Sequence, residues 1–134
     1  ARAFMNCYAL SEFVLGRGAM LTDLGSQAFM QSGVTLVDIS AATKLDLGYD
    51  SVFDSCASLT TLVLPDELTQ IGARAFYGCE ALQNVSFDGD GKNLTYIGAA
   101  AFYSCAFDSA AITDHAADGC VTADDAFENC KPLA

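Results

Sequence analysis

A phenylalanine returns along this chain at Phe4, Phe29, Phe53, Phe76, Phe102 and Phe127, at intervals of 25, 24, 23, 26 and 25 residues. A period of this length constrains the fold more than any local pattern does. Each unit is too short to bury its own apolar side chains, so it is stable only when packed on its neighbours. The flanks of the Phe repeat as well. A small or β-branched residue precedes it in every copy: Ala3, Ala28, Val52, Ala75, Ala101 and Ala126. Three residues after it stands a cysteine in five copies (Cys7, Cys56, Cys79, Cys105, Cys130), and Ser32 takes that place in the second.

Upstream, Leu21-Thr22-Asp23-Leu24-Gly25, Leu68-Thr69-Gln70-Ile71-Gly72 and Leu94-Thr95-Tyr96-Ile97-Gly98 share one pattern. The copy before Phe53 keeps Leu47-Gly48 with one extra residue, and Val121–Asp125 before the last Phe lacks the Gly. Downstream, Leu59, Leu62 and Leu64 form an L-x-x-L-x-L set, matched by Leu10, Phe13, Leu15 and by Leu82, Val85, Phe87. Two further sets sit one residue closer: Val34, Val37, Ile39 and Phe107, Ala110, Ile112. The last two positions of each set are two apart, which is strand periodicity.

A 23–26-residue period with this pattern is the signature of leucine-rich repeats. It predicts a β-rich α/β solenoid. One strand per repeat builds a parallel sheet, with short turns, 3₁₀ or helical segments on the other side. The segment Ala73–Cys79 is too short for a long helix, and a helical or 3₁₀ turn is expected there, with a short strand at Gln70–Gly72. The Gly after Ile71 or Ile97 is expected to permit a tight bend. The chain reads as a single solenoid over residues 1–134, about five repeats, cut from a longer array, with no polar capping unit at either end. Open ends of this kind invite end-to-end self-association.

Leu62-Val63-Leu64-Pro65, Leu68-x-x-Ile71-Gly72 and Ala75-Phe76-x-x-Cys79 resemble the repeat unit of the BspA-like leucine-rich repeat family. The resemblance covers essentially the whole chain and departs at Ser32, before Phe53, in the loop Asp88–Asn93 and through Ala106–Asp125. It implies a curved solenoid in a cell-surface or secreted protein, mainly of oral and gut bacteria and some parasitic protists, that adheres to host matrix or cell-surface proteins. No catalytic residue belongs to the family's motif, so the expectation is a protein that is not an enzyme.

Composition narrows the partners. With 52% hydrophobic and 17% charged residues the chain is not of the disordered type. The formal net charge is −11, from 17 Asp plus Glu against 6 Lys plus Arg that never cluster. A phosphate backbone requires a basic patch, so nucleic acid and anionic membranes are excluded as expected partners. No apolar run is long enough to insert directly into a bilayer, and no basic segment followed by an apolar stretch opens the sequence as a secretory leader would.

Three features tempt a chemical reading. The six cysteines suggest disulfides, but five share one repeat position, and that period explains their spacing better than pairing does. Buried free thiols are expected, with Cys120, outside the period, as an exposed thiol or a partner of Cys130 or Cys105. No Cys-x-x-Cys pair marks a zinc site. His115 is the single histidine, and no nucleophile elbow accompanies it. Asp88-Gly89-Asp90-Gly91-Lys92-Asn93 looks like the start of a calcium loop, yet the twelfth position is Ala99 rather than Glu, which favours a surface turn. No cofactor or metal is expected. The sequons at Asn84 and Asn93 are taken as incidental.

The side chains between the inward strand positions should face outward. By register these are Glu12, Val14, Leu36, Asp38, Thr61, Val63, Asn84, Ser86, Ser109 and Ala111. They form the expected partner-binding face. Tyr77 and Tyr103 make a second candidate surface, unless they pack between rungs. The expected function is a non-enzymatic protein-binding or adhesion module; the alternative is a structural spacer stalk within a larger surface protein.

Overall fold

A computed structural model describes residues 1–133. The chain winds as stacked rungs. Strands β1 (Glu12–Val14), β2 (Leu36–Asp38), β3 (Thr61–Pro65) and β5 (Asn84–Asp88) form a parallel sheet in the order β1-β2-β3-β5. A second parallel sheet joins β4 (Gln70–Ile71), β6 (Tyr96–Ile97) and β7 (Val121–Thr122), and single bridges at Leu47–Ile71 and Asp23–Asp46 continue it toward the first rung. The short strand expected at Gln70–Gly72 is therefore β4. The extra residue before Phe53 is absorbed at Tyr49 and Asp50, which are pushed out to solvent without disturbing the bridge at Leu47.

The phenylalanines form one column. Successive ring centroids from Phe4 to Phe127 lie 4.9, 4.9, 5.2, 5.2 and 5.3 Å apart, with planes within 19° of parallel. That spacing matches the separation of hydrogen-bonded strands, so each ring rests on the equivalent ring of the next rung. Phe29, Phe53, Phe76 and Phe102 are fully buried, whereas Phe4, the outermost ring, is 43% exposed. Leu59, Leu62, Leu64 and Leu82 fill the space between this column and the sheet.

The turns carrying the Phe are not helical. In each central rung two residues adopt left-handed backbone: Ser51 and Ser55 (φ 59° and 60°), then Arg74 and Gly78 (φ 56° and 69°). This rotates alternate peptide planes along the stack. The N–H groups of Ser51, Phe53 and Ser55 donate to the carbonyls of Ala73, Ala75 and Tyr77, and those of Arg74, Phe76 and Gly78 donate to Ala99, Ala101 and Tyr103. A helical turn would aim those groups within its own chain segment. A left-handed non-glycine residue costs about 1–2 kcal/mol. Leaving the three donors of each rung unpaired against the next rung would cost more, up to about 1–3 kcal/mol for each one shielded from water.

The glycine after Ile71 and Ile97 serves close approach and not a bend, since neither residue has a positive φ. A Cβ on Gly72 would lie 2.5 Å from the Tyr49 carbonyl oxygen and 2.8 Å from that of Gly48. On Gly98 it would lie 2.6 Å from the Ala73 nitrogen. In the last repeat β7 pairs Thr122 with Ile97, and the Ala123 N–H donates to Ile97 where the Gly98 N–H donates to Ile71. Ala123 thus holds the glycine place there.

All six cysteines are free thiols. Their shared position has a specific use. Cys56, Cys79 and Cys105 donate from Sγ to the carbonyls of Phe29, Phe53 and Phe76 in the preceding rung, at 3.1, 3.2 and 3.2 Å. Ser32 sits buried in the same column with its Oγ 3.5 Å from Cys56 Sγ. A small side chain with one weak donor fits this place. Burial pushes the Cys79 thiol well above its ordinary pKa, which keeps it protonated and inert. Cys7, Cys120 and Cys130 are half-buried, and Cys56, Cys79 and Cys105 are buried. Thiol titration at pH 8 is expected to label the first three in the folded chain and the last three only in denaturant; prompt labelling of Cys79 without denaturant would contradict the packing.

One strand expected from the sequence does not form. Ala110–Thr113 is helix α1, with Ser109 at its N-cap position. Ser109 and Ala111 therefore do not extend the row of outward strand residues. Asp108 decides this locally: its Oδ1 accepts the Ala110 N–H at 3.0 Å, which turns the chain into helix where the other rungs run extended. Ile112 still points inward and is fully buried. The helix packs against β5, at the edge where the next strand would pair.

Candidate functional site

The four-stranded sheet sets its outward side chains in columns. Glu12, Leu36, Thr61 and Asn84 are register partners, and so are Val14, Asp38, Val63 and Ser86. The column between them, Phe13, Val37, Leu62 and Val85, points into the core. Eight of the ten residues expected on this face are thus brought together. Val14 is 53% exposed, and Leu36, Thr61 and Val63 are each partly exposed. Asp38 is held upright by Ser40, whose N–H and hydroxyl both donate to its Oδ1, at 3.1 and 2.6 Å. Asp88 extends the face at the end of β5, whereas its register partner Pro65 is buried.

The tyrosines lie elsewhere. Tyr77 and Tyr103 stack at 4.8 Å with planes 7° apart, so packing between rungs occupies their facing sides. The Arg74 guanidinium covers Tyr77 at 3.7 Å from the ring centroid. Its Nε also donates to Asp54 Oδ2 at 2.9 Å, where the carboxylate is 1% exposed and takes the Ser55 hydroxyl as well. Residue spacing does not reveal this pair, because Asp54 and Arg74 stand at different repeat positions and meet only once adjacent rungs are stacked. Arg74→Met is expected to cost about 2 kcal/mol, measured by urea unfolding. That is less than the ~3–5 kcal/mol of a fully buried broken pair, because Arg74 is half in water. A loss below about 0.5 kcal/mol would mean Asp54 needs no counter-charge.

The remaining chemical candidates are accounted for by local structure. His115 is exposed beyond α1, its ring 5.8 Å from that of Phe87. The loop after β5 is folded onto Asp66: its Oδ1 accepts the Gly91 N–H and its carbonyl oxygen accepts the Asn93 amide. Asp90 faces Lys92 at 4.0 Å. Among the described residues no group of three or more His, Cys, Asp or Glu is placed to hold a metal ion. No helix among them is long and apolar enough to cross a membrane.

Stacked rungs, a phenylalanine column and a cysteine column define a repeat, and the repeat has a known counterpart. The family model for the BspA type leucine rich repeat region matches residues 1–134 in six copies. The chain belongs to the BspA-type leucine-rich repeat family. No curated protein and no solved structure matches it. BspA-type repeats are typically non-enzymatic and typically occur in bacterial surface or secreted proteins, and leucine-rich repeat folds generally mediate protein–protein interaction.

Proposed function

We propose that this chain is a non-enzymatic adhesion module of a cell-surface or secreted protein, and that it binds another protein through Glu12, Val14, Leu36, Asp38, Thr61, Val63, Asn84 and Ser86. One observation carries this reading. Parallel sheets occur almost only with both faces covered, yet here the outer face is bare and carries Val14, Leu36 and Val63 among polar side chains. A bare parallel sheet with aliphatic side chains gains by being covered.

The other reading is a spacer stalk, which needs rungs but no particular face. Paired arginines separate the two. Thr61→Arg with Val63→Arg leaves the inward columns intact, so the circular dichroism and melting temperature are expected to stay unchanged. Capture on a panel of immobilised extracellular matrix proteins is expected to fall at least about tenfold, as for loss of central contacts. Unchanged capture would place binding elsewhere, and a panel that retains neither form would favour the spacer.

A second copy of the chain is also a proposed partner. Phe4 and Met20 are exposed at the first rung, beside a hollow of about 450 Å³ lined by Phe13, Leu15 and Leu21. End-to-end association there is expected to raise the apparent mass in size-exclusion chromatography as concentration rises. A constant monomeric elution volume would exclude it.

A further inference from the structure

The sheet face has a charge character that says what kind of partner fits it. Its ionisable side chains are Glu12, Asp38 and Asp88, all acids. The six cations of the chain, Arg2, Arg17, Lys44, Arg74, Lys92 and Lys131, all lie outside the four strands. Across the same face run Val14 and Val63 in one column, on either side of Asp38, with Leu36 in the neighbouring column. Acids alternate with aliphatic side chains across the face, and no cation on these strands offsets them.

We infer that the sheet face of this chain takes a lysine- or arginine-bearing protein segment, lying across the strands. The inference rests on the sheet face being the binding surface, and it adds the partner's chemistry. Lys and Arg carry long aliphatic stems below their charge. Such stems lie on Val14, Leu36 and Val63 while the heads reach Glu12, Asp38 and Asp88. An acidic or purely apolar segment meets repulsion or leaves these carboxylates to be desolvated unpaired. Asp38 is fixed in place by Ser40, so little side-chain freedom is lost when a cation meets it. The net charge of −11 adds long-range attraction for the same partner.

The test uses two fluorescent twelve-residue peptides, one alternating lysine with valine and one alternating glutamate with valine, titrated with the whole chain. The lysine peptide is expected to bind and the glutamate peptide not to. The variant Glu12→Gln with Asp38→Asn and Asp88→Asn keeps side-chain shape and the Ser40 acceptor. It is expected to weaken the lysine peptide at least tenfold. Asp50→Asn with Asp124→Asn and Glu128→Gln removes the same charge from exposed positions off the face, and is expected to weaken it less than twofold. Equal weakening by the two variants would overturn the inference, since bulk charge would then explain binding. So would no binding of the lysine peptide. The paired arginine variant on the matrix panel keeps the two claims apart. Capture lost there, with the lysine peptide unbound, would leave the face as the site and reject only the cationic partner.

Discussion

Phe76→Ala is expected to lower folding stability by about 3–5 kcal/mol, the range for truncating a fully buried aromatic side chain. Phe76 sits in mid-column, its ring 5.2 Å from Phe53 on one side and 5.2 Å from Phe102 on the other, with no exposure to solvent. Removing it withdraws contacts from two rungs at once. The hole cannot close by sinking, because the turn is tied to the next rung by the N–H groups of Arg74, Phe76 and Gly78. Phe4→Ala removes a ring of the same size that is 43% exposed, and about 1 kcal/mol is expected there. Urea unfolding of the two variants measures the difference. Equal losses would mean that the column does not carry the stability.

Gly72→Ala is expected to be nearly as damaging, at about 3 kcal/mol, although it adds only a methyl group. The atoms it would meet are the backbone oxygens of Tyr49 and Gly48 at 2.5 and 2.8 Å, which cannot swing aside as a side chain would. Relief requires the two rungs to part, and the Gly72 N–H bond to the Leu47 carbonyl at 2.7 Å opposes that. Gly16→Ala is the matched control, since a Cβ there meets nothing within 4 Å. It is expected to change stability by less than about 0.5 kcal/mol. A neutral Gly72→Ala would show that the rungs are spaced more loosely than these distances state.

Much of this architecture could be read from the sequence because a stacked repeat writes its register into its spacing. Phe76, Cys79 and Leu82 fall on the same relative positions in rung after rung, and equivalence in sequence becomes adjacency in space. The outward strand residues from Glu12 to Ser86 followed from the same arithmetic. Ser109 and Ala111 did not, because Phe107, Ala110 and Ile112 imitate the strand spacing while Asp108 commits the backbone to α1 through a single hydrogen bond. Spacing counts residues and is blind to such a local competitor.

What depended on backbone direction was less visible. The glycine at position 72 was expected to bend the chain and instead admits a neighbour, a distinction that resides in φ and in interatomic distance. The left-handed residues Ser51, Ser55 and Arg74 carry no special residue type that would announce them. The shared use of Cys56, Cys79 and Cys105, each donating to a Phe carbonyl one rung back, is likewise a contact between repeats and not within one.

The fold stands on a single continuous column of rings. Nuclear Overhauser contacts between phenylalanine rings, in protein labelled selectively at phenylalanine, measure it directly. The expected result is a chain of neighbour contacts that links Phe4 to Phe29 and then, through Phe53, Phe76 and Phe102, reaches Phe127. Ring contacts that skip a repeat, or a central ring such as Phe76 with no aromatic neighbour, would contradict the stacked fold and with it the face assigned to binding.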